Sequence, residues 1–128
     1  MTIPGRHASK YFSNEPASVR KARRMVAATL DAAGVDPEVP VVVTSELATN
    51  ALKHAETGFE VSVTVEADTV RIEVQDGAGA MGLASDIARD TGGFGLRLVE
   101  HFSTEWGVEI RGDDKAVWVR LPRMSNSA

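Results

Sequence analysis

Two stretches separated by a short turn alternate so regularly that they dictate the architecture. Val61, Val63 and Val65 fall on one side of an extended chain, with Ser62, Thr64 and Glu66 on the other. After Ala67-Asp68 the alternation resumes with Val70, Ile72 and Val74 against Arg71, Glu73 and Gln75. This pattern predicts a β-hairpin with one apolar face, and an apolar face must be covered by another layer. Two upstream segments can supply it. Residues 16–33 read as a helix, because Val19, Val26, Leu30 and Ala33 recur at spacings of 7, 4 and 3, with Pro16 at the start and Gly34 after the end. Asp36-Pro37 then opens a second helix in which Val43, Leu47 and Ala51 recur every four residues, with Gly58 as the expected stop. The run Val41-Val42-Val43-Thr44 is β-branched, but its periodicity is helical.

Downstream, Leu96, Val99 and Phe102 give a third, short helical stripe. Trp106-Gly107-Val108-Glu109-Ile110 and the alternating Val117, Val119 and Leu121 read as two more strands around a Gly112-Asp113-Asp114 turn. Trp106 and Trp118 are expected to pack on strands rather than stack on a ligand. The predicted fold is α+β: a two-layer α/β sandwich with helices on one face of a mixed, mostly antiparallel sheet. At 128 residues the chain is expected to form one domain over residues 11–122, between a poorly ordered N-terminal segment, 1–10, and a polar tail, 123–128.

The second helix carries chemistry as well as core. Glu46 and Asn50 are four apart and share a face, with Lys53 and His54 one turn on. That face is either a solvated surface or a site offering a carboxylate to take a proton, an amide oxygen suited to Mg²⁺, and two cations for phosphate oxygens. Asp76-Gly77 closes the second strand of the hairpin. It is either a plain turn or a buried carboxylate beside a backbone that a ligand can approach. Gly93-Phe94-Gly95-Leu96 feeds the third helix, where free N–H groups suit phosphate. Residues 81–91 between these features read as an irregular loop or a lid. On the first helix Arg20, Lys21, Arg23 and Arg24 form a basic cluster, either a solvated face or a contact for an acidic protein.

In this order the motifs resemble those of the GHKL (Bergerat-fold) ATP-binding superfamily, and of its small stand-alone branch of anti-sigma factors that act as serine kinases. Thr44-Ser45-Glu46-Leu47-Ala48-Thr49-Asn50-Ala51 with His54-Ala55 resembles the N box. Asp76-Gly77 resembles the start of the adenine box, and Gly93-Phe94-Gly95-Leu96 the second glycine box. Residues 16–24 and the Trp106-Gly107-Val108 run favour the small branch. The resemblance implies that Glu46 is the general base and that Asn50 ligates Mg²⁺. It places Lys53 and His54 near the phosphates or the lid, Asp76 on the adenine amine beside Gly77, and Gly93, Gly95 and Leu96 on the phosphates of ATP.

The implied partners are a sigma factor and an antagonist protein phosphorylated on Ser or Thr, with a possible homodimer. Ala78 and Ala80 stand where the adenine box commonly has glycines, and Ala116 is read at a position where a Thr commonly supports the Asp. The alternative expectation is therefore a weak or inactive kinase-like module that regulates transcription through protein contacts alone.

Composition narrows the rest. The chain has no Cys, so a disulfide framework and thiol chemistry are excluded, which fits a reducing compartment; the cytoplasmic setting expected here is implied by the family resemblance. A net charge of −4 argues against general nucleic-acid binding. No stretch approaches the length of a membrane span, and residues 1–10 lack the apolar core of a secretory leader.

Overall fold

The structure, a computed structural model, describes residues 6–77 and 96–126. The elements follow in the order β1 (His7–Phe12), α1 (Ala17–Ala32), α2 (Glu38–His54), β2 (Phe59–Val65), β3 (Thr69–Asp76), α3 (Leu96–Phe102), β4 (Glu105–Arg111) and β5 (Asp114–Pro122). The strands form one sheet in the order β1-β2-β3-β5-β4. The expectation of a mixed sheet is corrected here, because every pairing among the described strands is antiparallel. β4 runs parallel to β3, but its hairpin partner β5 lies between them, so no parallel pair forms.

The hairpin of β2 and β3 places its apolar side chains as its alternation requires. Phe59, Val61 and Val63 on β2 and Val70, Ile72 and Val74 on β3 are buried, and β5 adds Val119 and Leu121 to the same face. The helices cover it. α1 contributes Ala22, Val26 and Leu30 at four-residue spacing, and α2 contributes Val43, Leu47, Ala48 and Ala51. α1 ends in a Schellman turn: the Gly34 N–H donates to the Asp31 carbonyl at 3.1 Å and the Val35 N–H to the Leu30 carbonyl at 2.9 Å. Gly34 has φ 74°, the left-handed backbone that glycine adopts without strain. α2 begins at Glu38 with Pro37 in the cap position, one residue later than the Asp-Pro reading, and Asp36 still accepts the Glu38 N–H at 3.0 Å.

Three expectations about the chain's edges change. Residues 7–10, assigned by sequence to a poorly ordered terminus, are the first part of β1, paired with β2 from His7↔Thr64 to Phe12↔Phe59. Only Phe12 of that strand is buried, so the strand is held by backbone hydrogen bonds, by the exposed side-chain pairs His7–Thr64 at 2.8 Å and Ser9–Ser62 at 3.0 Å, and by Phe12 stacked 5.7 Å from Phe59. The tail is also engaged: the Met124 carbonyl accepts the Asp36 N–H at 2.8 Å and Ser125 bridges to Val35. Finally, α2 stops at His54, with Ala55 already extended, before Gly58 is reached. Gly58 instead lies against the Phe12 carbonyl and the Tyr11 ring, where a Cβ would collide with both.

The face away from the helices carries an ionic lattice. The Arg111 guanidinium donates to both oxygens of Glu73 at 2.7 and 2.9 Å, and Arg71 adds a third bond at 3.0 Å. Trp118 lies between Arg71 and Arg120, each 5.4 Å from its ring, and leans on Gly107. Both tryptophans are thus packing residues, as expected; Trp106 sits against the core.

Candidate nucleotide site

The site is assembled where α2 hands the chain to the sheet. Only residues 55–58 separate α2 from β2, so the C-terminal half of α2 arrives at the strand end that holds Phe59 and its register partner Asp76. The connection is fixed by Asn14, whose amide donates to the Ala55 carbonyl at 2.8 Å and to the Thr57 carbonyl at 2.9 Å. Thr57 in turn accepts the Gly77 N–H at 2.9 Å. Gly77 has no room for a side chain: a Cβ there would lie 2.7 Å from Thr57 Cγ2. Its smallness therefore serves this close approach, which sets the exit of β3 from the sheet.

On α2, Glu46 and Asn50 are half-buried beside the Val43-Leu47-Ala51 core stripe. Their side chains neither sink into the core nor extend freely into water. One turn on, His54 is half-buried and Lys53 is exposed. Asp76 is buried, 4% exposed, on the helix-covered face of the sheet. Leu96 opens α3. Gly93 and Gly95 lie outside the described residues, as do Ala78, Gly79, Ala80 and the loop 81–91. The topology thus gathers the α2 face and Asp76 at one end of the sheet. A hollow of about 340 Å³ opens at the same strand ends, lined by Asp76, Gly77, Thr57 and Gly58 together with the outward-facing Tyr11, Glu60, Gln75 and Asp114.

One reading of the site is corrected. The residue across the ladder from Asp76 is Lys115; Ala116 pairs with Gln75, whose side chain faces the other side. Ala116 is therefore not the position that would support Asp76. The Lys115 ammonium stands 3.7 Å from Asp76 Oδ2, and both side chains are only 2% exposed. The alternation of Val117, Val119 and Leu121 carries the signal: extended two residues back, it puts 115 and not 116 on the helix-covered face.

An observation on the donors bears on the metal. Among the described residues no three His, Cys, Asp or Glu side chains cluster as a cage. The donor on the α2 face is the Asn50 amide, half-buried, whose oxygen is a hard ligand of the kind Mg²⁺ takes alongside water and phosphate.

The model of the histidine kinase-like ATPase domain matches residues 12–122. The chain belongs to that family. No curated protein matches it by sequence. Among solved structures this ATPase-family domain is similar to the crystal structure of the RsbU and RsbW domains of Rv1364c from Mycobacterium tuberculosis. The TM-score is 0.67 at 20% identity, over 95% of this chain and 34% of that one. It is also similar to the Acinetobacter baumannii histidine kinase AdeS, with a TM-score of 0.55 at 16% identity, over 94% of this chain and 68% of that one. The chain thus spans about a third of the mycobacterial protein compared, and these likenesses concern the fold. Family and fold agree with the GHKL resemblance and with its two-layer sandwich. Among the described residues no helix is long and apolar enough to cross a membrane.

Proposed function

We propose that this domain binds ATP with Mg²⁺, transfers the γ-phosphoryl group to a Ser or Thr of an antagonist protein, and sequesters a sigma factor in the cytoplasm. The observation that carries the reading is the α2 face: Glu46 and Asn50 held half-buried, one turn apart, at the sheet end that also holds buried Asp76. When bound, the magnesium nucleotide supplies an electrophilic phosphorus, and what is left for the protein is positioning and charge neutralisation. Asp76 accepts the exocyclic amine of the base. The Asn50 amide oxygen offers one ligand to the cation. Glu46, one turn before it, accepts the proton of the attacking hydroxyl. Lys53 and His54 serve the phosphates, a role the Gly93-Phe94-Gly95 sequence before Leu96 shares in this reading.

The partner side of the reading rests on α1. Arg20, Lys21, Arg23 and Arg24 are all exposed. Arg20, Arg23 and Arg24 border a groove of about 360 Å³ whose floor is Ala27 and Val41. Basic walls over an apolar floor suit an amphipathic acidic segment of a partner protein. Because this groove is separate from the nucleotide site, it also supports a second reading in which the module binds partners without phosphorylating them.

Glu46→Gln decides between the two. Loss of the carboxylate should reduce phosphoryl transfer by roughly 100- to 10,000-fold while ATP affinity holds. Transfer measured with radiolabelled ATP and purified antagonist, at an unchanged rate in the variant, would remove Glu46 as the base. No transfer by the wild type, with partner binding intact, would select the second reading. Arg23→Glu with Arg24→Glu should weaken partner binding in either case, with a change in salt dependence.

A further inference from the structure

Lys115 is the only buried cation among the described residues, 1% exposed. A lysine in such a place is costly unless its charge is met and used. The ladder between β3 and β5 shows how unusual its position is. On the helix-covered face the rungs are Val70↔Leu121, Ile72↔Val119 and Val74↔Val117, and the next rung is Asp76↔Lys115. Three apolar rungs end in one ionic rung at the mouth of the site. A lysine needed only for solubility would sit on the other face, beside Arg120, Glu109 and Gln75, where the charges of this sheet are gathered.

We propose that Lys115 is a second base-reading residue, its ammonium donating to ring N1 of the adenine whose exocyclic amine Asp76 accepts. This rests on the nucleotide reading above and deepens it. The Watson–Crick edge of adenine presents a donor, the N6 amine, next to an acceptor, N1. Asp76 and Lys115 present an acceptor next to a donor, 3.7 Å apart, with both side chains only 2% exposed, a dry setting in which charge-assisted hydrogen bonds are strong. An ammonium carries three donors and can serve a carboxylate and a ring nitrogen together. A guanine in the same pose sets O6 against the carboxylate and N1–H against the ammonium, so both contacts become repulsive. Lys115 therefore sharpens selection for adenine over keto-purines, which an apolar or hydroxyl residue at this rung would do less well.

The test is a calorimetric comparison of ATP, GTP and 1-deaza-ATP, in which N1 is replaced by C–H, on the full chain with Mg²⁺. The wild type should prefer ATP over 1-deaza-ATP by about tenfold or more, and over GTP by more than that. In Lys115→Met the preference for ATP over 1-deaza-ATP should fall to near one. In Lys115→Gln, which keeps an N–H donor, much of it should survive. A purely structural lysine would change all three affinities alike and leave the ratios where they were. Equal binding of ATP and 1-deaza-ATP by the wild type overturns the proposal without any variant having to fold, and leaves the nucleotide site standing. Absence of binding by all three nucleotides overturns the nucleotide reading itself and this proposal with it.

Discussion

Single side chains at the α2–β2 connection decide whether the site exists. Gly58 is pressed against the Phe12 backbone and Tyr11. Adding one methyl there forces β1 away from β2, so Gly58→Ala should destabilise the fold by about 1–3 kcal/mol, read as a lowered midpoint in urea unfolding. Gly77→Ala should do likewise through Thr57. The sequence made Gly58 and Gly77 visible as glycines but did not show the close approach each makes: Gly58 reads as a helix stop, and Gly77 as either a turn or a ligand contact. A glycine in a sequence announces backbone freedom or close approach and does not say which neighbour approaches. Lys115 shows the reverse case. The alternation in β5 already placed it on the helix-covered face, yet a charged residue two positions before an apolar run reads as part of the turn. Glu46, Asn50 and Asp76 were legible because helix and strand periodicity fix the face each occupies.

Secondary-structure elements were legible in proportion to their apolar periodicity. The β-branched run at the start of α2 is helical, since packing of Val43 and Leu47 on the sheet outweighs a propensity difference of a few tenths of a kcal/mol per residue. β1 escaped detection for the opposite reason. With only Phe12 buried it shows no alternation, and its pairing is made largely by backbone groups that every sequence has, with exposed His7–Thr64 and Ser9–Ser62 side-chain bonds beside them. Its buried anchor should be worth measuring: Phe12→Ala removes the ring stacked on Phe59 and should cost about 3–5 kcal/mol, and amide exchange along β2 should quicken with it. The antiparallel character of the whole sheet was equally hidden, because it depends on β5 inserting between β3 and β4.

At the scale of the whole molecule, the sheet separates two kinds of chemistry. One face packs the helices and brings Asp76 and α2 together; the other is an ionic lattice that should govern response to acid. Burial pushes the Glu73 carboxyl up, but the hydrogen bonds from Arg111 and Arg71 outweigh it and hold the group below the ordinary value of 4.5. Hydrogen bonding from Arg120, opposed by slight burial, holds Glu66 below it too. A carboxyl lowered in the folded state stabilises fully above its unfolded value and loses that contribution as pH falls through the folded one. Stability should therefore be flat from neutrality to about pH 5 and decline below 4.5, and Glu73→Gln should flatten that decline in thermal melts taken between pH 3 and 7.

In the proposed function the α2 face and Asp76 together form a magnesium-dependent nucleotide site. Its most direct test is calorimetric titration of ATP into the wild type and into Asn50→Ala, each with and without Mg²⁺. Micromolar binding that requires Mg²⁺ and weakens at least tenfold in the variant is the predicted result. No binding at millimolar ATP, or binding that neither Mg²⁺ nor the Asn50 substitution alters, would contradict it.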